Sequence, residues 1–139
     1  MLRGRRIAFD YGDVRIGVAA CDADAILVSP VGVIKNSSKT LKGELSDLLG
    51  EILPITIYCG WPAHLSGSLG EATEKVDAFI ELLTSLTSAP IIKVDERLST
   101  VSAQSRLREA GVNSRKSKEL IDAMAAVTIL EQGLASEKI

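Results

Sequence analysis

Apolar and polar positions change their spacing repeatedly along this chain. Residues 5–10, Arg-Arg-Ile-Ala-Phe-Asp, form a short apolar run closed by an acid, and Tyr11-Gly12-Asp13 has the composition of a turn. Residues 15–21 and 26–34 continue as β-branched and small apolar runs, separated by Asp22-Ala-Asp24. Two tight connections predict a three-stranded antiparallel meander. Pro30 has no N–H for a ladder, so the third strand should be the sheet edge. The spacing then becomes helical. Leu41, Leu45, Leu48, Leu49 and Ile52 predict one helix, stopped by Pro54. Residues 55–59 form a strand, 60–68 a Gly- and Pro-containing loop, and 71–86 a second amphipathic helix. A strand follows over 91–94, then a helix of about 100–110 stopped by Gly111, a basic loop over 113–117, and an apolar helix over about 118–134. The order β-β-β-α-β-α-β-α-α predicts an α/β domain with a mixed five-stranded sheet, the later strands parallel to the first.

Length and composition narrow this picture. The 139 residues suit one domain spanning 1–139, and the 46% apolar content suits a packed core. The net charge of −2 means that nucleic acid would have to bind a local basic patch. Residues 1–6 carry the positive charge of an export signal, but Asp10 and Asp13 interrupt the apolar stretch that should follow. No segment approaches the roughly 20 apolar residues of a membrane span. Cys21 and Cys59, each in an apolar strand, read as reduced core thiols, so a cytoplasmic setting is expected.

Three carboxylates interrupt otherwise apolar patterns. Asp10 closes the first strand, Glu96 follows the last, and Asp122 sits within Leu120-Ile-Asp-Ala-Met-Ala-Ala-Val-Thr-Ile-Leu130. In open α/β sheets, ligand sites lie beyond the carboxyl ends of strands, which would bring Asp10 and Glu96 to one edge. Asp122 needs a cation, a partner or an opening to water, because an unpaired buried carboxylate is costly. A hard divalent cation, Mg²⁺ or Mn²⁺, accounts for all three as ligands and for a phosphodiester substrate. Each acid also has a local reading. Asp10 suits a turn, Glu96 can pair with Arg97, and Asp122 can bond an arginine or hydroxyl.

The residues carrying this pattern resemble a known family. Phe9-Asp-Tyr-Gly-Asp-Val-Arg-Ile-Gly-Val-Ala19, Ser29-Pro30, Gly60-x-Pro62, Ser66-Gly67-Ser68-x-Gly70, Asp95-Glu-Arg-Leu-Ser-Thr100 and Ile121-Asp-Ala-x-Ala-Ala126 fall in the order and spacing of the YqgF (RuvX) family. The resemblance implies a ribonuclease H-like fold and a metal-dependent nuclease. It implies either maturation of the 5′ end of precursor 16S ribosomal RNA or resolution of four-way DNA junctions. It places the family's acids on Asp10, Glu96 and Asp122, with Asp95 as the alternative to Glu96. The chain departs from the family at Gly60-Trp-Pro-Ala-His-Leu-Ser66, where His64 and Ser66 replace the usual Asn and Asp.

The basic residues complete the expectation. Arg15, Arg97 and Lys116 are candidate phosphate contacts, with Arg106, Arg108 and Lys118 as a wider basic surface. Each arginine also reads as a counter-charge to its acidic neighbour. Trp61 reads as a stacking or packing residue, and His64 as a loop residue. The expected partner is nucleic acid, precursor ribosomal RNA or branched DNA, acted on by a monomer or homodimer. Two rivals belong to other classes. An actin-like or sugar-kinase ATPase also opens on Asp-x-Gly, but needs a second domain. A nucleic-acid-binding protein without activity would retain the fold alone.

Overall fold

The computed structural model describes residues 2–62, 69–95 and 115–137. Its strands are β1 (Arg6–Asp10), β2 (Arg15–Cys21), β3 (Val28–Lys35), β4 (Thr56–Trp61) and β5 (Ile91–Asp95). Its described helices are α1 (Leu41–Ile52), α2 (Leu69–Leu86) and α3 (Arg115–Glu137). The sheet order is β3-β2-β1-β4-β5. β1, β2 and β3 pair antiparallel, whereas β4 and β5 run parallel to β1. The expected mixed sheet is thus observed, with Pro30 on its edge strand. The helix expected over 100–110 lies outside the described residues.

Local chemistry explains the connections. Asp22 Oδ1 accepts the N–H groups of Ile26 and Leu27, at 2.8 and 3.0 Å, closing the β2–β3 turn. α1 ends on Leu53, which adopts the left-handed conformation (φ 51°) with its N–H still donating to the Leu49 carbonyl, and Pro54 cannot continue the helix.

Strand alternation divides the core between two faces of the sheet. Ile7, Phe9, Ile16, Val18, Ile57 and Cys59 pack toward α1 and α2, meeting Leu45, Leu49, Phe79 and Leu83. Ala8, Ala19, Cys21 and Tyr58 pack toward α3, against Ala126, Ile129, Leu130 and Leu134. Small strand residues let α3 settle close to the second face. At Gly17 its backbone comes so near that a Cβ would overlap the Asp122 carbonyl. At the far end, Gly133 leaves space for the Tyr58 ring, which a Cβ would meet at 2.5 Å.

α3 therefore runs from the carboxyl edge of β1 toward its amino edge. There Arg6, only 1% exposed, donates to Glu137 Oε1 at 2.7 Å and to the carbonyls of Gly4 and Leu2. The Tyr58 hydroxyl donates to the other Glu137 oxygen. Cys21 and Cys59 are both free and buried, as their apolar runs predicted. No described helix is long and apolar enough to cross a membrane.

Candidate active site at the carboxyl edge of the sheet

β1 carries Asp10 to the carboxyl edge of the sheet. Its even-numbered residues, Arg6 and Ala8, face α3, so alternation puts Asp10 on that face too. The residue opposite Asp10 on β2 is Gly17. Directly opposed antiparallel residues have Cα atoms about 4.5–5.5 Å apart. Gly17 is also the residue on which the Asp122 backbone rests. Asp10 and Asp122, 112 positions apart in the chain by subtraction of their numbers, are thus next-door neighbours over one glycine.

Arg15 lies two residues before Gly17 on the same face. Its Nε donates to Asp122 Oδ2 at 2.9 Å, with the two side chains 29% and 28% exposed. The awkward carboxylate of the last helix has both a partner and access to solvent, so its burial cost is largely avoided. Lys35 pairs in register with Arg15 and shares its face and edge. The Tyr11–Val14 connection is braced from several sides. Asn36 Nδ2 donates to the Gly12 carbonyl at 2.8 Å, its N–H donates to the Val14 carbonyl at 2.9 Å, and Lys75 Nζ pairs with Asp13 at 3.0 Å.

Asp10, Asp122 and Arg15 come together. Glu96 and Arg97 lie outside the described residues, as do His64 and Ser66. Lys116 falls in the first turn of α3, but its side chain is likewise outside the description. Asp95 is placed. It is the register partner of Trp61, which packs on the α1/α2 core, so Asp95 faces away from Asp10. Among the described residues, no three His, Cys, Asp or Glu side chains form a metal-binding group. Trp61 is half-buried, and its ring carries Lys93 Nζ at 3.8 Å from the centroid.

Sequence reasoning overlooked Lys35, Lys42 and Lys75, because they are scattered through three separate segments. Gly17 did offer a signal: a glycine inside a strand marks the close approach of another backbone.

Comparison with known proteins matches residues 4–136 to the family model described as "RuvX: Holliday junction resolvase". A Streptomyces coelicolor protein named "Putative pre-16S rRNA nuclease" is 44% identical over 141 aligned positions, covering 100% of this chain and 84% of the relative. The chain belongs to the RuvX family. A Mycobacterium ulcerans relative of the same name is 42% identical, covering 95% of this chain and 79% of its own. These relatives and the family model are named for nuclease activity, the hydrolysis of phosphodiester bonds. Among solved structures, Thermus thermophilus RuvC in complex with a Holliday junction substrate superposes with a TM-score of 0.61. The match covers 96% of both chains at 14% identity. A further Thermus thermophilus RuvC structure gives a TM-score of 0.55 at 13% identity, covering 94% of this chain and 96% of the other. The RuvX chain therefore has the ribonuclease H-like fold that the family resemblance implied, on the mixed sheet that its element order predicted.

Proposed function

We propose that this chain is a metal-dependent nuclease in which Asp10, Glu96 and Asp122 hold Mg²⁺ or Mn²⁺. The observation that carries the reading is the meeting of Asp10 and Asp122 over Gly17, on the α3 face of the sheet edge. The donor chemistry fits. Carboxylate oxygens are the ligands that these hard cations prefer, and the absence of a Cβ at Gly17 lets the second carboxylate approach the first. When bound, the metal would polarise the phosphodiester and its attacking water, giving 3′-hydroxyl and 5′-phosphate ends.

The chain's own residues supply the remainder. Arg15 pairs with Asp122 and presents positive charge beside it. Lys35 adds a second cation at that edge, and Arg97 and Lys116 are assigned to phosphate contact. The favoured substrate is precursor 16S ribosomal RNA, on the strength of relatives that share the chain's full length and carry that name. The expected setting is the cytoplasm. The family description favours four-way DNA junctions as a second reading, which requires two sites and hence a dimer to cut both strands.

The deciding experiment offers a precursor ribosomal RNA leader and a four-way junction to the purified protein at matched salt, with Mg²⁺, Mn²⁺ or chelator. RNA cleavage should require metal and disappear in Asp10→Asn and Asp122→Asn. Equal cleavage by wild type and both variants, with chelator present, would refute the assigned site. Cleavage of the junction alone would select the second reading.

A further inference from the structure

A cleft on the other side of the same edge has chemistry suited to a nucleotide. It encloses about 400 Å³ between the Tyr11 turn, α1 and α2, within the range of pockets that take small organic ligands. Tyr11, Leu41, Phe79 and Leu82 line it with apolar surface. The Tyr11 ring is braced against Phe79, with centroids 5.2 Å apart. Lys42 and Lys75, both exposed, supply the cleft's positive charge, and Lys75 shares its charge with Asp13 at 3.0 Å. Asn36, also in the lining, fixes the neighbouring turn through Gly12. The groove between β3 and α1 has the opposite character. Glu44, Asp47 and Glu51 line it and would repel a phosphate backbone.

Position adds to composition. Tyr11 directly follows Asp10, so the two Cα atoms are about 3.8 Å apart. Asp10 faces α3, whereas Tyr11 packs on the α1/α2 core. The two residues flank one sheet edge from opposite faces, so a strand that crosses this edge with one phosphate at Asp10 can turn a neighbouring nucleotide toward the cleft. An aromatic and aliphatic floor accepts a base by stacking, and lysines beside it meet its phosphate. A base paired inside a duplex cannot enter such a cleft without leaving the stack.

We propose that the Tyr11–Lys42–Lys75 cleft is a subsite for one unpaired nucleotide adjacent to the scissile phosphate. The proposal rests on the nuclease reading for its position relative to the cut, and it makes the enzyme selective for single-stranded or unpaired regions. RNA and DNA share the recognised chemistry of base and phosphate, so both are tested.

Short single strands of RNA and DNA, with 2-aminopurine placed at successive positions, are titrated with the intact protein in chelator and followed by fluorescence. One position should show quenching on binding, and the blunt duplex of the same sequence should show none. Tyr11→Leu, which retains apolar volume, should abolish the quenching and weaken single-strand binding by about tenfold. The exposed changes Lys42→Ala and Lys75→Ala should each lower the salt dependence of binding by about 0.7 in logarithmic slope. Comparison of the RNA and DNA arms shows which strand the cleft prefers. The subsite is overturned if the duplex is quenched equally, or if Tyr11→Leu and Lys42→Ala change neither quenching nor affinity. Because no cleavage is read, quenching that persists alongside failed metal-dependent cleavage upholds nucleotide binding and refutes only the nuclease reading. Absence of quenching at every position in the wild type, with intact metal-dependent cleavage, refutes only the subsite.

Discussion

Arg15 and Asp122, 107 positions apart, meet at 2.9 Å through Nε and Oδ2. The guanidinium already engages one oxygen of Asp122, so its charge should compete with that of a divalent cation for this carboxylate. Removing the guanidinium in Arg15→Met should tighten Mn²⁺ binding about threefold, the equivalent of a half-exposed ion pair. Calorimetry without nucleic acid measures this directly. Cleavage should nevertheless fall, because the substrate phosphate loses a cation. Weaker Mn²⁺ binding would show instead that Arg15 is needed to hold Asp122 in place.

Gly17 and Gly43 should respond in opposite ways to the same added methyl. At Gly17 the Cβ would be driven into the Asp122 backbone, displacing α3 from the site. Gly17→Ala should cost roughly 1–3 kcal/mol in urea denaturation and abolish cleavage. Gly43 lies on α1 with open space around it. Gly43→Ala should stabilise by about 0.5–1 kcal/mol, because alanine is the better helix former, and should leave cleavage unchanged.

Strand alternation bears on the choice of second metal ligand through Asp95. Asp95 faces the α1/α2 side with Trp61, away from Asp10. Asp95→Asn should therefore cleave near the wild-type rate, whereas Glu96→Gln should lose at least about 100-fold. Steady-state rates at saturating Mg²⁺ decide it, and the reverse ranking would make Asp95 the ligand.

The Arg6–Glu137–Tyr58 cluster should give stability a dependence on pH at both extremes. Burial pushes the Glu137 carboxyl upward, but hydrogen bonds from Arg6 and Tyr58 outweigh it and hold the group below its ordinary value of 4.5. Its contribution is thus present above about pH 4.5 and lost as pH falls through the lower folded value. Burial, and then the Glu137 hydrogen bond, raise the Tyr58 hydroxyl above its ordinary value of 10.0. That contribution is complete below pH 10 and lost as pH rises toward the folded value. Glu137→Gln should flatten the acid limb of a urea-midpoint profile and cost roughly 2–3 kcal/mol at neutral pH, by leaving Arg6 short of its counter-charge. Tyr58→Phe should flatten the alkaline limb.

Much of this molecule was legible along the chain. β2 begins and ends where its apolar run does, and Pro30 identified the edge strand before any sheet was assembled. The three acids were conspicuous because each broke a local pattern. Lys35, Lys42 and Lys75 were not, because exposed lysines at strand ends and on helix faces are ordinary. The burial of Arg6 was not legible either. It stood in a basic amino-terminal run and is, among the described residues, the largest side chain fully withdrawn from solvent.

The sequence by itself determined the order of elements, the edge strand and the residue types able to do chemistry, because period, proline and glycine act over a few residues. Only the tertiary structure decided which of these residues meet. Sheet register placed Gly17 beside Asp10, and the docking of α3 onto that glycine brought Asp122 and Arg15 to the same edge. Strand alternation, read across the assembled sheet, turned Asp95 away. These relationships depend on how distant faces pack, and no local pattern contains the direction in which a helix crosses a sheet.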